Sequence, residues 1–362
     1  MTKSEGQVLL IALTADLHLT TRLKNPERYN ALADILTKVV ARDIATVILA
    51  GDTFDEASGN YAEFEAFCQQ EKFRNLRLIL IPGNHDSQLN PGQMTAKNVE
   101  IVSKACIRAF GENGMTFLFL PYLKDATMGE FIAAHASVLK TNQWILVGHG
   151  DWTEGMHEPD PSEPGIYMPL TRTDIENFLP ARAILGHLHK PMDSDVVSYV
   201  GSPCGLDIRE TGRRRFLILD TESGAVESQV VDSDILHFNE SFVVVPAGNE
   251  IEYVKQQIAE RIRGWQLTKK EIGKARVQVR FYGYSSNRRA LQEAVLESFK
   301  AFRFYRDSEP DFSEVSTADD ANLLEIARRV KERLQQTEFP QDDRQPDKEQ
   351  ILLQALHVIY GG

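Results

Sequence analysis

A short apolar run that ends in a cluster of polar side chains is the feature that most constrains this fold. Residues 78–86 read Leu-Ile-Leu-Ile-Pro-Gly-Asn-His-Asp. The four apolar residues, stopped by a proline and a glycine, predict a strand buried on both faces. Asn84, His85 and Asp86 follow its carboxyl end, which is where open α/β sheets bind their ligands. Taken alone, the stretch also fits an ordinary turn, so its interpretation depends on the other strands.

Apolar strand-like runs alternate with helical patterns through the first half of the chain. Strands are predicted over 7–13, 45–50, 78–81, 115–121, 143–147 and 181–185. Helices are predicted over 26–40, 61–71, 94–110 and 128–139. Pro26 fits the first position of the first helix, because the N–H that it lacks has no partner inside a helix. This alternation predicts an α/β domain with buried, mainly parallel strands.

Metal-type ligands follow the carboxyl ends of five of these strands. They are Asp16 and His18, Asp52, Asn84 and His85, His149, and His187 and His189. One histidine after a strand is more often a capping or core residue than a ligand. Five such coincidences favour a shared metal site, because the carboxyl ends of parallel strands lie along one edge of a sheet.

The residue types fit two divalent cations a few ångströms apart. In the Asp-x-His and His-x-His pairs, two ligands alternate with one apolar residue, which places both on the same side of an extended segment. Asp52 is the candidate for a carboxylate that bridges the metals, and Asn84 adds a neutral oxygen. Oxygen and imidazole ligands suit Mn, Fe, Zn or Co. Two such cations activate water and clamp both oxygens of an in-line phosphoryl displacement.

Five ordered motifs resemble those of the calcineurin-like metallophosphoesterases. They are Asp16-Leu-His18, Gly51-Asp52, Gly83-Asn84-His85-Asp86, Gly148-His149 and Gly186-His187-Leu188-His189. A second set resembles the SbcD-type DNA repair nucleases of this family: Gly51-Asp-Thr-Phe-Asp55, Leu120-Pro-Tyr122, Tyr199-Val-Gly-Ser-Pro203 and Arg214-Arg-Phe-Leu-Ile-Leu-Asp220. The resemblance covers about residues 1–235 and implies a four-layer α/β/β/α sandwich for this metallophosphoesterase domain.

The resemblance also implies a role for each of these side chains. It assigns one metal to Asp16, His18 and His189 and a second to Asn84, His149 and His187, with Asp52 bridging them. We expect the two metals to be Mn²⁺, with Fe, Zn or Co as alternatives. His85 is implied to be the catalytic residue that stabilises developing charge or protonates the leaving oxygen. Asp55 stands where some members carry a second catalytic histidine, and we expect it to face the substrate.

Beyond residue 235 the pattern changes to a small α/β module. Strands are predicted over 241–245, 275–282 and 302–305, and helices over 250–264 and 287–302. Residues 240–306 resemble the small α/β capping domain with which SbcD-type nucleases contact DNA. A domain that only covers a sheet face is the alternative. The acidic, polar stretch 307–320 is predicted to be a linker.

The C-terminal segment, residues 316–362, holds two amphipathic helical patterns separated by a polar break at 340–346. The resemblance implies that these helices dock on the coiled coil of an SbcC-like ABC-type ATPase. Packing of the helices back on their own domain is the alternative. The resemblance is also compatible with a homodimer.

Composition and charge limit the partners and the compartment. The chain has 362 residues, enough for two domains, and a net charge of −12, which argues against a surface covered in phosphate-binding basic residues. Its compact basic cluster, Arg213, Arg214 and Arg215, either touches a nucleic-acid backbone or forms a solvated turn. Three widely spaced cysteines predict a reducing compartment, hence the cytoplasm. No apolar run reaches membrane-spanning length, so no membrane partner is expected.

The sequence as a whole predicts a two-metal phosphodiesterase, specifically the DNA exonuclease or endonuclease subunit of an SbcCD-like repair complex. A phosphoesterase that acts on small nucleotides or cyclic nucleotides is the first alternative, and the acidic net charge favours it. A non-catalytic scaffold for an ABC-type ATPase is the second alternative, and the intact ligand set argues against it. The capping module and the C-terminal helices favour the nuclease.

Overall fold

A computed structural model describes residues 9–55, 60–111, 114–153, 165–246, 249–318, 320–337 and 347–360. The chain divides into two compact units, Met1–Leu206 with Arg213–Asp234, and Asp207–Gly212 with Ile235–Gly362. The predicted capping module and C-terminal segment both lie in the second unit. The predicted polar break at 340–346 lies outside the described residues.

The strands run in chain order from the first unit into the second. They are β1 (Leu10–Thr14), β2 (Thr46–Ala50), β3 (Arg77–Ile81), β4 (Val99–Ile101), β5 (Cys106–Ala109), β6 (Thr116–Leu120), β7 (Trp144–His149), β8 (Arg182–Gly186), β9 (Met192–Asp193), β10 (Val197–Tyr199), β11 (Arg215–Asp220), β12 (Val226–Val230), β13 (Leu236–Val244), β14 (Ala275–Ser285), β15 (Arg303–Phe304) and β16 (Asp311–Thr317).

The helices at 172–178 and 269–272 were not predicted, but the other α-helices of the described residues overlap predicted helical patterns. All of these α-helices are labelled in chain order. They are α1 (Pro26–Ala41), α2 (Tyr61–Cys68), α3 (Met128–His135), α4 (Arg172–Phe178), α5 (Glu250–Gly264), α6 (Lys269–Ile272), α7 (Arg288–Phe299), α8 (Ala321–Gln336) and α9 (Lys348–Tyr360). Helix α1 begins at the predicted proline. Among the described residues, no helix combines the length and the apolar character needed to cross a membrane.

Within the described residues, two six-stranded sheets form the centre of the first unit. Their strand orders are β12-β11-β1-β2-β3-β4 and β5-β6-β7-β8-β10-β9. Strands β1 to β4 are parallel to one another, as are β6, β7, β8 and β10, whereas β5, β9, β11 and β12 pair antiparallel. The predicted α/β fold with mainly parallel strands is therefore confirmed.

Alternate residues of the buried strands fill cores on opposite sides of each sheet. Ile11 and Leu13 of β1 pack in one core with residues of the second sheet, including Phe117 and Ile145. The intervening Ala12 belongs to another core that includes the apolar faces of α1 and α2. The other side of the second sheet packs in the same way with α3 and α4. Burial of each large apolar side chain contributes about 1.5–3 kcal/mol. These cores therefore stabilise the strands whose ends carry the site.

The predicted helix over 94–110 is wrong. Residues 99–101 form β4, which pairs in parallel with β3, and residues 106–109 form β5, which pairs with β6. Ile101, Val102 and Phe110 are buried in the cores that the two sheets form. Strand pairing with distant segments decides the conformation here, because local propensity is weaker than burial and ladder hydrogen bonds.

The second unit is built on the parallel strands β13 to β16. Strand β14 is paired with β13 along one edge and with β15 and β16 along the other. Its alternating sequence sends Val277, Val279 and Phe281 to one side, where they pack in a core with apolar residues of α5 and α7. The predicted strands and helices of the capping module are thus present.

The predicted acidic linker over 307–320 is also wrong in part, because residues 311–317 form β16. Phe312 and Val315 are buried against the helices, and the other positions of this strand are exposed. Two apolar residues suffice because the strand lies at an edge of the sheet, where one side of the backbone and most side chains meet water. The polar composition therefore resembled that of a linker.

Helices α8 and α9 pack on their own unit. Ala327 of α8 and Leu352 and Leu356 of α9 form a small core with Val243 and Val245 at the end of β13. Lys331 is nearly buried, with its ammonium 3.5 Å from the centre of the Tyr253 ring on α5. Docking of these helices on an ATPase stays a prediction.

Candidate metal centre

Five strand ends of the first unit bring the predicted ligands together. Asp16 and His18 follow β1, Asp52 follows β2, Asn84 and His85 follow β3, His149 ends β7, and His187 and His189 follow β8. Contacts join the two sheets at this point, for example the 2.9 Å between His149 Nε2 and Asn84 Oδ1. The parallel direction of these strands places their carboxyl ends, and so the ligands, at one shared edge.

The first ligand group consists of Asp16, His18 and His189, whose ligand atoms lie within 4.8 Å of one another. Nε2 of His18 lies 3.0 Å from Nε2 of His189. Burial raises the pKa of Asp16, and among the described residues its Oδ2 has no hydrogen-bond partner. A buried carboxylate oxygen in that state costs free energy unless a cation compensates it. The group therefore fits a divalent cation.

The second ligand group consists of Asp52, His149 and His187, again within 4.8 Å. Asn84 adds its Oδ1, which lies 2.9 Å from His149 Nε2 and 3.1 Å from His187 Nδ1. His149 Nδ1 lies 3.0 Å from the carbonyl oxygen of Ala50. Because a carbonyl can only accept, Nδ1 carries the proton and Nε2 is left as the ligand atom.

Asp52 lies between the two groups. Its Oδ2 is 3.6 Å from His18 Nε2 and 3.3 Å from His149 Nε2. Burial opposes ionisation of Asp52, but the charge of His149 outweighs it and holds the pKa of Asp52 below its usual range. Burial likewise lowers and Asp52 raises the pKa of His149, to about 10 on balance. Without a cation, a proton on His149 balances the carboxylate, and a metal ion can take that place.

His85 lies beside these two ligand groups. Its ligand atom also falls within 4.8 Å of those of His18 and Asp55, which form a third possible group. Its backbone N–H donates to Asp52 Oδ1 at 2.9 Å, and its Nδ1 lies 3.1 Å from the carbonyl oxygen of Asp55. Its ring stands edge-on to His18 with 4.6 Å between the ring centres. These backbone and Nδ1 contacts hold the imidazole beside both ligand groups, which suits a residue that acts on the substrate.

An open cavity of about 530 Å³ adjoins these ligands. The segment after β3 and two tyrosines form much of its wall. The lining residues are Asn84, His85, Ser87, Gln88, Tyr122, Leu123, Lys124 and Tyr167. The rings of Tyr122 and Tyr167 are 6.0 Å apart, and Tyr167 also lies 4.6 Å from the His187 ring. The cavity gives a substrate direct access to His85 and Asn84.

A family model for the calcineurin-like phosphoesterases matches residues 9–204, a range that includes every predicted ligand. The chain belongs to this family. A comparison with curated proteins found no matching relative. Members of the family depend on metal, and the buried carboxylate and imidazole groups at these strand ends are suited to hold one.

Two glycines of this phosphoesterase allow ligands to approach the backbone closely. Gly51 has φ +96°, and a Cβ there would lie 1.9 Å from His149 Nδ1. A Cβ on Gly83 would lie 2.1 Å from Asp52 Oδ1. The motifs that precede Asp52 and Asn84 therefore require glycine for steric reasons.

Four ligands have left-handed backbone conformations, which non-glycine residues rarely adopt. They are Asp16 (φ 53°), His18 (φ 45°), Asp52 (φ 48°) and His187 (φ 98°). Conformations of this kind cost about 1–3 kcal/mol each and cluster at functional sites. The packed sheets beneath the phosphoesterase centre hold this strain.

Asp86 is a residue whose role the sequence interpretation missed. It is fully buried, and its carboxyl oxygens accept hydrogen bonds from the backbone N–H groups of Gly83 at 2.6 Å and Phe54 at 3.1 Å. Asp86 thereby ties the segment after β3 to the segment after β2. Local sequence could not show this role, because one of the two donors, Phe54, lies 32 residues away along the chain.

Asp55 contacts a predicted ligand, and because its side chain remains 35% exposed, its contact with the substrate stays a prediction. Its Oδ1 lies 3.3 Å from His18 Nδ1 and its Oδ2 lies 3.7 Å from Arg28 Nη1. The hydrogen bond with His18 lowers the pKa of Asp55. The carboxylate therefore orients His18, whose Nε2 faces the first ligand group.

Burial of Arg214 shows that both alternatives predicted for the arginine cluster, a nucleic-acid contact and a solvated turn, are wrong for this residue. Arg214 is 1% exposed and donates to the Ser202 carbonyl and hydroxyl oxygens, both at 2.8 Å, and to the His189 carbonyl. Arg215 pairs with Asp193 and donates to the backbone of β10. Arg214 thereby holds the segment that carries the predicted ligand His189, whereas Arg215 joins β9 and β10. Arg213 is exposed, and its contact with DNA stays a prediction.

Proposed function

We propose that this phosphoesterase is a two-metal phosphodiesterase. One observation supports the proposal above others, namely that Asp52 Oδ2 lies 3.6 Å and 3.3 Å from histidines of two separate ligand groups. Asp16, His18 and His189 would hold one metal and Asn84, His149 and His187 the other. Mn²⁺ suits this mixture of oxygen and imidazole ligands. Two such cations, when bound, supply Lewis acidity and neutralise charge during in-line displacement at phosphorus.

His85 is proposed as the catalytic residue that acts on the substrate. Its Nδ1 is engaged near the Asp55 carbonyl, so Nε2 is the atom directed to the phosphate or the leaving oxygen. A positioned acid of this kind contributes roughly 10²–10⁴-fold to the rate. The cavity beside it leaves room for the leaving group.

We infer that the substrate is DNA, as for the SbcD-type nucleases that the chain resembles. Charge in the second unit supports this inference, because residues 235–318 contain 13 lysines and arginines against 11 aspartates and glutamates, whereas the whole chain has a net charge of −12. Arg280 and Arg303 are exposed on the sheet of that unit, and Arg276 is the register partner of Arg303. Clustered arginines of this kind bind phosphate backbones.

We also propose a layer arrangement for the first unit and a protein partner for the C-terminal helices. The cores shared between the two sheets and with their flanking helices support a four-layer α/β/β/α sandwich for the first unit. We further propose that α8 and α9 recruit a coiled-coil ATPase. Ile326 and Val358 support this partner, because they remain 46% and 79% exposed after the helices pack on their own unit.

A small-nucleotide phosphoesterase is the second candidate function. The cavity of about 530 Å³ has the size of a small-ligand site, and its two tyrosines suit a nucleobase. The acidic net charge also favours a small substrate over long DNA.

The decisive experiment compares substrates on the purified full-length chain with Mn²⁺. Linear duplex DNA and single-stranded DNA are set beside bis-p-nitrophenyl phosphate, cyclic nucleotides and nucleotide monoesters. Cleavage of DNA together with the diester reporter supports the nuclease. Rapid turnover of a small nucleotide without DNA cleavage would move the chain to the second candidate.

Matched arginine variants test the contribution of the second unit. Arg280→Ala and Arg303→Ala should each weaken DNA binding and reduce its salt slope by about 1, while leaving hydrolysis of the small diester unchanged. Arg289→Ala is the control, because this exposed arginine lies on α7 and not on the sheet. Equal effects of all three substitutions would argue against a specific DNA surface.

A further inference from the structure

Asp151 lies beside the metal centre, two residues beyond the end of β7, and belongs to neither ligand group. It is 5% exposed. Its Oδ1 lies 3.5 Å from His187 Nε2, and its Oδ2 accepts a hydrogen bond from the Tyr167 N–H at 2.7 Å. Its own backbone pairs with Tyr167 and Leu170 at 2.8 and 2.7 Å. The carboxylate therefore lies between a predicted ligand and the wall of the cavity.

The two nitrogens of His187 face different neighbours. Nδ1 lies 3.1 Å from Asn84 Oδ1, on the side of the second ligand group, and Nε2 faces Asp151. Nδ1 can bind a metal only if it carries no proton, so the single proton of the neutral imidazole must be on Nε2. A carboxylate accepts and does not donate, and Asp151 therefore stabilises that tautomer.

We propose that Asp151 is a positioning residue that keeps the proton of His187 on Nε2 and so presents Nδ1 to the second metal. This proposal rests on the two-metal function. His149 offers an internal comparison, because the Ala50 carbonyl 3.0 Å from its Nδ1 performs the same task with a neutral acceptor. A charged acceptor also raises the basicity of the ligand, which strengthens its bond to a cation.

The same carboxylate links the ligand to the substrate cavity. Tyr167 lines the cavity, its ring lies 4.6 Å from the His187 ring, and its backbone N–H is held by Asp151. Asp151 consequently fixes His187 from one side and the aromatic wall next to it from the other. Displacement of Asp151 should therefore alter metal affinity and the Michaelis constant together.

The test is Mn²⁺ binding to the full-length Asp151→Asn variant, measured by calorimetry. The amide oxygen can still accept from the Tyr167 N–H, but the NH₂ group then faces His187 Nε2. Two donors oppose each other, the imidazole moves its proton to Nδ1, and the second Mn²⁺ should bind about 10–100-fold more weakly. The first Mn²⁺ should bind as in the wild type.

Glu250→Gln is the matched control, since it makes the same change at a buried carboxylate of the second unit that bonds to Ser285 and Ser286. It should leave both Mn²⁺ affinities unchanged. A double-variant cycle separates positioning from packing. In a His187→Ala background, Asp151→Asn should cause no further loss of Mn²⁺ affinity, whereas a merely structural role would add its own loss.

Two outcomes overturn the proposal, and they differ from failure of the two-metal function. Wild-type affinity for both Mn²⁺ ions in Asp151→Asn, or additive losses in the double variant, would overturn the role of Asp151 alone. A wild-type chain that binds fewer than two Mn²⁺ would overturn the two-metal function itself, and this role with it. If Asp151→Asn does not fold, Asp151→Glu replaces it, and its displaced acceptor should also weaken the second Mn²⁺.

Discussion

Asp86→Ala should destabilise the first unit strongly, although Asp86 is not a ligand. The substitution removes the acceptor for two buried backbone N–H groups, those of Gly83 and Phe54. Each buried donor left without a partner costs about 1–3 kcal/mol, so the expected loss is about 2–6 kcal/mol. A typical domain is stable by only about 5–15 kcal/mol. The variant should therefore still fold, but with only a small remaining free energy of unfolding.

The hydrogen bonds, and not the charge, determine this magnitude. Burial and the nearby Asp52 raise the pKa of Asp86 to about 6, so its negative charge is itself disfavoured in the folded protein. Asp86→Asn removes that charge and keeps one acceptor oxygen for one of the two donors. We expect its loss to be about half that of the alanine variant, about 1–3 kcal/mol.

Urea unfolding followed by tryptophan fluorescence measures these losses, with EDTA present so that metal binding does not contribute. Trp144 and Trp152 lie in the first unit and Trp265 in the second. In a Trp265→Phe background, the fluorescence therefore reports the first unit alone. Asp195→Ala, at an exposed position, is the control and should change the free energy of unfolding by less than about 0.5 kcal/mol.

The reasoning is refuted if Asp86→Ala lies within about 1 kcal/mol of this control at an unchanged denaturant slope. Such a result would mean that water or a backbone shift satisfies both donors. A loss of the expected size should be accompanied by weaker Mn²⁺ binding, because Gly83 immediately precedes Asn84.

Three further substitutions test the site. Asp52→Ala should retain the secondary structure seen by circular dichroism but bind fewer than two Mn²⁺ in elemental analysis and lose diester hydrolysis; two bound Mn²⁺ would contradict the bridging role. His85→Ala should keep both Mn²⁺ and lower turnover by roughly 10²–10⁴-fold, and near-wild-type turnover would remove His85 from the mechanism. Gly51→Ala places a Cβ 1.9 Å from His149 Nδ1, so calorimetry should show the loss of one Mn²⁺; unchanged binding would show that the ring can move aside.

The strand-end positions of the predicted ligands followed from the sequence because they depend on local signals. An apolar run of strand length followed by glycine and a polar ligand identifies both the strand and its end, as at Asp52 and His149. Helix α5 was predicted with the bounds that it has, since its apolar spacing and polar flanks are contained within the helix itself. Parallel strands then bring such ends together whatever their separation along the chain.

Other features depended on partners that are distant in sequence. Residues 94–110 were predicted to be a helix, but β3 and β6 pair with the two strands that this stretch contains. Residues 311–317 were predicted to be a linker, but they form a strand that pairs with β14. Arg214 looked like a surface cation, yet it is buried against carbonyl oxygens of the segment that holds His189.

The structural roles of Asp86 and Asp151 could likewise be assigned only from the tertiary structure. Both carboxylates are buried, and their function is set by which N–H group or imidazole nitrogen faces them. Residue type and spacing decide what a side chain can bond to. Burial and the neighbours brought in by folding decide what it does bond to, because a polar group removed from water must find its partner within the protein.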